Sequence, residues 1–174
     1  SFIVNANAGA GTVNISDAAG ANTLTVNGTA GADTFTLSAP TGTTSRVVLT
    51  GGSTVNSTDA EIATLTVDGL ANTDSFTVSA LTRTATLTGG TEADTVVSSS
   101  DAAAVGLSDT SLTRDALGAI TLSGIETATL TGGAGVNTFT VGSWTGTANL
   151  DGGASADSFI VNANAGAGTV NISD

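Results

Sequence analysis

The chain has 174 residues, enough for one domain, and a net charge of −12 from 15 acids against three bases, Arg46, Arg83 and Arg114. Three arginines cannot neutralise a phosphate backbone or hold an anionic lipid surface, so neither nucleic acid nor membrane is expected as a partner, and no apolar run approaches the roughly 18 residues that a bilayer-spanning helix needs. Cys, His and Lys are absent, which excludes a disulfide scaffold and the usual acid–base and nucleophilic chemistry of an enzyme, while 40% hydrophobic content excludes a disordered polar tract.

The chain opens with SFIVNANAGAGTVNISD at Ser1–Asp17 and repeats it letter for letter at Ser158–Asp174, an offset of 157 residues. Fixed-period self-similarity is the signature of repeat architectures. The reading is one full tandem period over 1–157, followed by the start of the next over 158–174.

Within the period, short alternating pieces predict strands at Val13–Ile15, Thr23–Val26, Val47–Leu49, Thr64–Val67, Ala85–Leu87 and Ala128–Leu130. In TLTV, Leu24 and Val26 take one face and Thr23 and Thr25 the other. Pro40, in SAPTGTTSR, predicts a loop leaving a strand end. The stretch Asp101–Ile120 is the least regular and reads as a loop or a short helical turn. The three arginines are expected at the surface beside acids, and Trp144 in GSWTG as an anchor or a lateral contact, the contact being favoured.

Between these pieces a second pattern recurs: NGTAGADTFTL at Asn27–Leu37, DGLANTDSFTV at Asp68–Val78, TGGTEADTVV at Thr88–Val97, TGGAGVNTFTV at Thr131–Val141 and DGGASADSFIV at Asp151–Val161. Each places a glycine five residues before an Asp or Asn, then a hydroxyl residue, then Phe or Val. The glycines are Gly28, Gly69, Gly89, Gly132 and Gly152, the Asx residues Asp33, Asp74, Asp94, Asn137 and Asp157, and the apolar residues Phe35, Phe76, Val96, Phe139 and Phe159. A weaker copy at Gly51–Asn56 lacks the aromatic. Glycine is expected to supply positive φ at a tight corner, Asx to bond the turn backbone, and the apolar residues to form one inner ladder beside one column of Asx.

The Asx residues stand 20 apart from Asp74 to Asp94 and from Asn137 to Asp157, and 43 apart from Asp94 to Asn137, which reads as two steps with one decayed copy. Two short strands per step of roughly 20 residues, without helices, predict an all-β parallel β-solenoid whose rungs bury their faces on one another. At ~4.8 Å per rung that gives about seven or eight rungs per period. A β-sandwich of hairpins is the alternative.

GGAGVNTFT at Gly132–Thr140 and GTAGADTFT at Gly28–Thr36 resemble the nonapeptide G-G-x-G-x-D-x-U-x of RTX proteins. The wider pattern resembles the degenerate strand repeats of very long bacterial surface proteins and adhesins. The RTX resemblance implies a calcium-bound β-roll, with Asp33, Asp74, Asp94 and Asp157 as candidate ligands. It also implies secretion and a structural or adhesive role at the cell surface. Against the RTX pattern, the copies are isolated, the second glycine survives only as Gly31 and Gly135, and Asn137 replaces one Asp. The alternative is that the Asx residues cap turns without metal, so that no cofactor is required.

The expected function is mechanical: a repeat unit of a long extracellular filament whose partner is itself, stacked end to end or associated laterally. The alternatives are the stalk of a calcium-dependent adhesin and an ice-binding surface. The last draws on the pairs Thr23/Thr25, Thr34/Thr36, Thr64/Thr66, Thr129/Thr131 and Thr138/Thr140, which are not all expected on one face. Asn14, Asn27 and Asn56 sit in N-x-[ST] sequons, which arise easily in so Ser/Thr-rich a chain.

Overall fold

The computed structural model describes residues 1–7, 9–17, 21–162 and 168–174, so parts of both copies of the terminal repeat lie outside the described residues. Alternation of apolar with Thr, Ser and Asn side chains yields eighteen strands and, among the described residues, no helix. The first nine are β1 (Phe2–Asn5), β2 (Thr12–Ile15), β3 (Asn22–Asn27), β4 (Thr34–Thr41), β5 (Thr44–Leu49), β6 (Thr54–Thr58), β7 (Ile62–Asp68), β8 (Ser75–Val78) and β9 (Ala85–Thr88). The rest are β10 (Thr95–Ser99), β11 (Ala104–Ser108), β12 (Ser111–Arg114), β13 (Ile120–Ser123), β14 (Thr127–Thr131), β15 (Thr138–Val141), β16 (Thr147–Asp151), β17 (Ser158–Val161) and β18 (Thr169–Ser173).

They form two nine-stranded sheets. The first runs β1-β3-β7-β9-β13-β12-β11-β15-β17, and the second, from the same end, β2-β6-β5-β4-β8-β10-β14-β16-β18. All pairings are parallel except those of β5 and β12, each antiparallel to both neighbours. Successive strands alternate between the sheets except at β4-β5-β6 and β11-β12-β13, where the chain doubles back within one sheet. Counting levels along each sheet as rows, β1 and β2 occupy row 1 and β17 and β18 row 9.

Two expectations are corrected by the doublings. The segment 101–120 is neither a loop nor a helical turn, because Leu107 pairs with Leu112 and Leu112 with Ile120 across two reversals. The 43-residue interval from Asp94 to Asn137 contains a doubling in addition to a diverged copy, in which Glu126 takes the Asx position before β14. Pro40 does not mark a loop: β4 continues through it to Thr41, and the missing N–H falls in the register irregularity between Ser38 and Thr41.

Alternation sends one set of side chains into a core shared by both sheets. Phe35, Phe76 and Val96 are fully buried and stand in register in the second sheet, followed by Ala128 and Ala148. Phe139 and Phe159 stand instead in the first sheet, behind Val105. The apolar ladder is thus two ladders, because the doubling at β11-β12-β13 returns the motif to the other sheet. The rings stack at 5.4 Å for Phe35–Phe76 and 5.3 Å for Phe139–Phe159. Such pairs contribute about 1 kcal/mol beyond their buried area.

Trp144 is buried in the core, as an anchor rather than a contact surface. Arg114 is also buried and, among the described residues, has no acid partner: its guanidinium donates to the carbonyls of Ser79 (2.7 Å) and Gly118 (3.2 Å), and burial lowers its pKa to about 10. Arg83 pairs with Asp59 at 3.4 Å, and Arg46 donates to Asn56 at 3.0 Å.

Candidate functional site

The Asx residues stand one position before their strands, where the chain turns into a sheet. Each turn must satisfy a main-chain N–H that no regular strand pairing reaches. The side chain of the next row does this. Asp74 Oδ1 accepts the N–H of Asp33 (2.7 Å), Asp94 Oδ1 that of Asp74 (2.7 Å), and Glu126 Oε2 that of Asp94 (2.8 Å). Main-chain bonds alternate with these: Ser75 N–H donates to the Asp33 carbonyl, Thr95 N–H to that of Asp74 and Thr127 N–H to that of Asp94, each at 2.9 Å. The result is a ladder climbing the side of the second sheet.

A second, shorter ladder climbs the side of the first sheet. Asp157 Oδ1 accepts the N–H of Asn137 (2.6 Å), and Ser158 N–H donates to the Asn137 carbonyl (2.9 Å). Asn137 itself accepts from Gly133 N–H (3.1 Å) and donates its Nδ2 to the Ala102 carbonyl (2.8 Å). The five Asx residues therefore occupy two columns, not one, for the same topological reason that splits the apolar ladder.

The remaining side-chain oxygen explains the glycine. Asp33 Oδ2, Asp74 Oδ2, Asp94 Oδ2, Asn137 Oδ1 and Asp157 Oδ2 each lie over the Cα of the glycine five residues earlier. A Cβ on Gly28, Gly69, Gly89, Gly132 or Gly152 would come within 2.5 Å of that oxygen. These glycines are thus required by close approach and not by positive φ, which corrects the expectation. Positive φ falls one residue later in three rows, at Leu70 (78°), Gly90 (133°) and Gly153 (91°). Leu70 is a branched side chain in a region that disfavours it.

Burial gives the first ladder its electrostatics. Asp74 is almost wholly buried, and desolvation pushes its pKa up to about 6. The N–H of Asp33 opposes that shift, while the charges of Asp94, Asp33 and Asp68 add to it. Asp94 is raised in the same direction by burial, with Glu126 and Glu92 contributing. Asp33 Oδ2 accepts the N–H of Thr29 at 2.6 Å. The Oδ2 atoms of Asp74, Asp94 and Asp157 are buried without a hydrogen-bond partner.

The four carboxylates that the RTX resemblance implies as calcium ligands are divided between the two columns. Asp33, Asp74 and Asp94 stand in one column and Asp157 in the other. Their Oδ1 atoms in Asp74, Asp94 and Asp157 are bound to main-chain N–H groups, and their Oδ2 atoms are pressed against glycine. Among the described residues, no three acidic side chains come together as a cation cage of oxygen ligands requires.

Sequence reasoning missed Glu126 and Arg114. Glu126 follows no G-x4-D spacing, but like Asp33, Asp74 and Asp94 it stands immediately before a strand, here that of Thr127. That position was the available signal. For Arg114 the signal was period two, which puts it on the same face as the buried Leu112.

No family model, curated protein or solved structure matches this chain.

Proposed function

We propose that the chain is a structural repeat unit of a long extracellular filament. In this reading it coils as a parallel β-solenoid, interrupted by two doublings, and each 157-residue period adds eight rows to a rod. One observation carries the reading: the strands of the identical segments, β1 and β2 in one copy and β17 and β18 in the other, stand in row 1 and row 9 of the two sheets. In this reading row 9 is row 1 of the next period. The ladders add support, since they stiffen each turn with bonds to the next row. A charge of −12 on a threonine-rich exterior suits a rod that must stay dispersed. The surface location rests on the resemblance to bacterial surface repeats.

The denatured mass of the native polypeptide tests this reading. A mass spanning many periods is the expected result. A mass near 16.6 kDa would overturn the tandem filament.

A second reading, ice binding, is favoured by one arrangement. Thr34, Ser75, Thr95, Thr127, Thr147 and Thr169 align in register on the second sheet, and Thr25, Thr66, Thr86 and Thr121 on the first. The five T-x-T pairs divide between these two faces. Thermal hysteresis that Thr95→Lys abolishes would support it, and freezing-point behaviour like that of any solute would end it.

A further inference from the structure

We infer that the 17-residue segment is a two-edged joint, a single copy of which completes both the period before it and the period after it. The partner it fits is a second copy of this chain's 157-residue unit. The inference deepens the repeat-unit reading and rests on it. What carries it is that one amino-acid sequence is seen twice, each time paired along the opposite edge.

At row 1 the segment pairs with row 2. Phe2 stands opposite Leu24, Val4 opposite Val26, Thr12 opposite Thr54 and Asn14 opposite Asn56. At row 9 the same residues pair with row 8. Phe159 stands opposite Phe139, Val161 opposite Val141, Thr169 opposite Thr147 and Asn171 opposite Asn149. A single segment could make both sets only if the two edges used different main-chain groups. They do. Ala6 donates its N–H to the Asn27 carbonyl (2.8 Å) on the row 2 side, whereas Asn162, the equivalent of Asn5, donates to the Val141 carbonyl (3.0 Å) on the row 8 side. In the second sheet the Gly11 carbonyl accepts from Thr54 N–H (2.8 Å), whereas Thr169, the equivalent of Thr12, donates to the Gly146 carbonyl (2.9 Å). Alternate residues of a strand point their main-chain groups to opposite sides, so neither set displaces the other.

Side chains agree with the main chain. Asn56 donates Nδ2 to Asn14 Oδ1 at 2.9 Å, and Asn171 donates Nδ2 to Asn149 Oδ1 at 2.9 Å. Merging Asn14 with Asn171 gives one unbroken amide ladder with every donor pointing the same way. Apolar burial agrees too. Val161 and Ile172 face inward yet are 42% and 49% exposed, while Val141 and Leu150 in the row below are 2% exposed. They lack only a row above them, which row 2 of the following period would supply.

A chain with residues 1–157 placed ahead of the full chain contains the joint once internally, and tests the inference. Small-angle scattering should show an unchanged cross-section and a length greater by about 38 Å, eight rows at ~4.8 Å. Amide exchange at Val161 and Ile172 of the internal joint should slow at least about 100-fold relative to the same amides in the single chain. Two independently tumbling bodies, with the internal joint exchanging as fast as the open end, would overturn it. Val161→Lys supplies a second arm: it should leave the melting temperature of the single chain unchanged and lower that of the two-period chain when placed in the internal joint. Equal effects in both would also overturn it. A native polypeptide of one period would end the covalent tandem reading without touching the joint, which the two-period chain tests by itself.

Discussion

The ladder of Asp33, Asp74, Asp94 and Glu126 and the ladder of Asn137 and Asp157 do the same main-chain task with different chemistry. The first stacks acid on acid. It accepts each turn N–H with a carboxylate, the stronger acceptor, but leaves the buried Oδ2 of Asp74 and Asp94 without partners and raises both pKa values. The second sets an amide on an acid. Asn137 is fully buried and both of its polar side-chain atoms are bonded, one as acceptor and one as donor. The comparison teaches that the position demands an oxygen lying flat over the glycine and a polar atom for the neighbouring row, not a negative charge: Asn137 offers that row a donor, at the Ala102 carbonyl, where Asp74 offers Asp33 an acceptor.

The largest expected effect breaks both ladders at the glycine. Gly89→Ala places a Cβ against both Asp94 Oδ2 and the Gly124 carbonyl, and Gly132→Ala places one against Asn137 Oδ1 and the Gly152 carbonyl. Each should destabilise by about 3 kcal/mol in urea unfolding, the upper end for overpacking, since part of the obstruction is backbone. A neutral result at either site would refute the close-approach account.

Removing the acceptor comes next. Asp74→Ala leaves the Asp33 N–H unsatisfied and should cost about 2 kcal/mol, whereas Asp74→Asn keeps an acceptor oxygen and should cost under about 1 kcal/mol. Equal losses would show that the charge matters after all.

Acid titration separates the ladders further. Asp74 has a folded-state pKa of about 6 against an ordinary 3.8, so the folded state binds the proton more tightly than the unfolded state. Its contribution to stability is fully present below about pH 4 and is lost as pH rises through about 6. Asp94 acts in the same direction. Melting temperatures of wild type and Asp74→Asn across this range should diverge as pH rises, wild type falling relative to the variant. Parallel curves would contradict the burial of Asp74.

Smaller still is the turn itself. Leu70, at φ 78°, occupies the place that Gly90 and Gly153 fill elsewhere, and Leu70→Gly should stabilise by about 1 kcal/mol. The smallest effect is expected from chelation. The ladder carboxylates already serve main-chain N–H groups, so EDTA should leave the strand signal in circular dichroism unchanged. Loss of that signal would support a bound calcium ion.

Much of this was legible in the chain. Thr23–Val26, Thr64–Val67 and Ala128–Leu130 alternate cleanly and are strands, and the G-x4-[DN] spacing located five of the six ladder turns. Pairing was not legible, because period two is the same for a parallel and an antiparallel strand. Nothing local distinguishes SLTR of β12, which runs against its neighbours, from TLTV of β3, which runs with them. From that ambiguity came the single column predicted for what are two columns. Glu126 escaped because the ladder selects for position before a strand, and the spacing rule saw only rows that turn through glycine. Arg114 escaped because a guanidinium can enter a core when carbonyls take the place of a carboxylate.

The two reversed strands also govern curvature. A doubling lengthens the sheet that contains it by two strands and leaves the opposite sheet as it was. A strip whose faces grow at unequal rates must bend, and over many periods a small inequality would close it into a coil. Here β5 lengthens one face and β12 the other, so both reach nine strands over the same stretch of chain. Each reversal is the counterweight of the other: losing either would leave the two sheets unequal by two strands, while losing both would leave them equal and shorter.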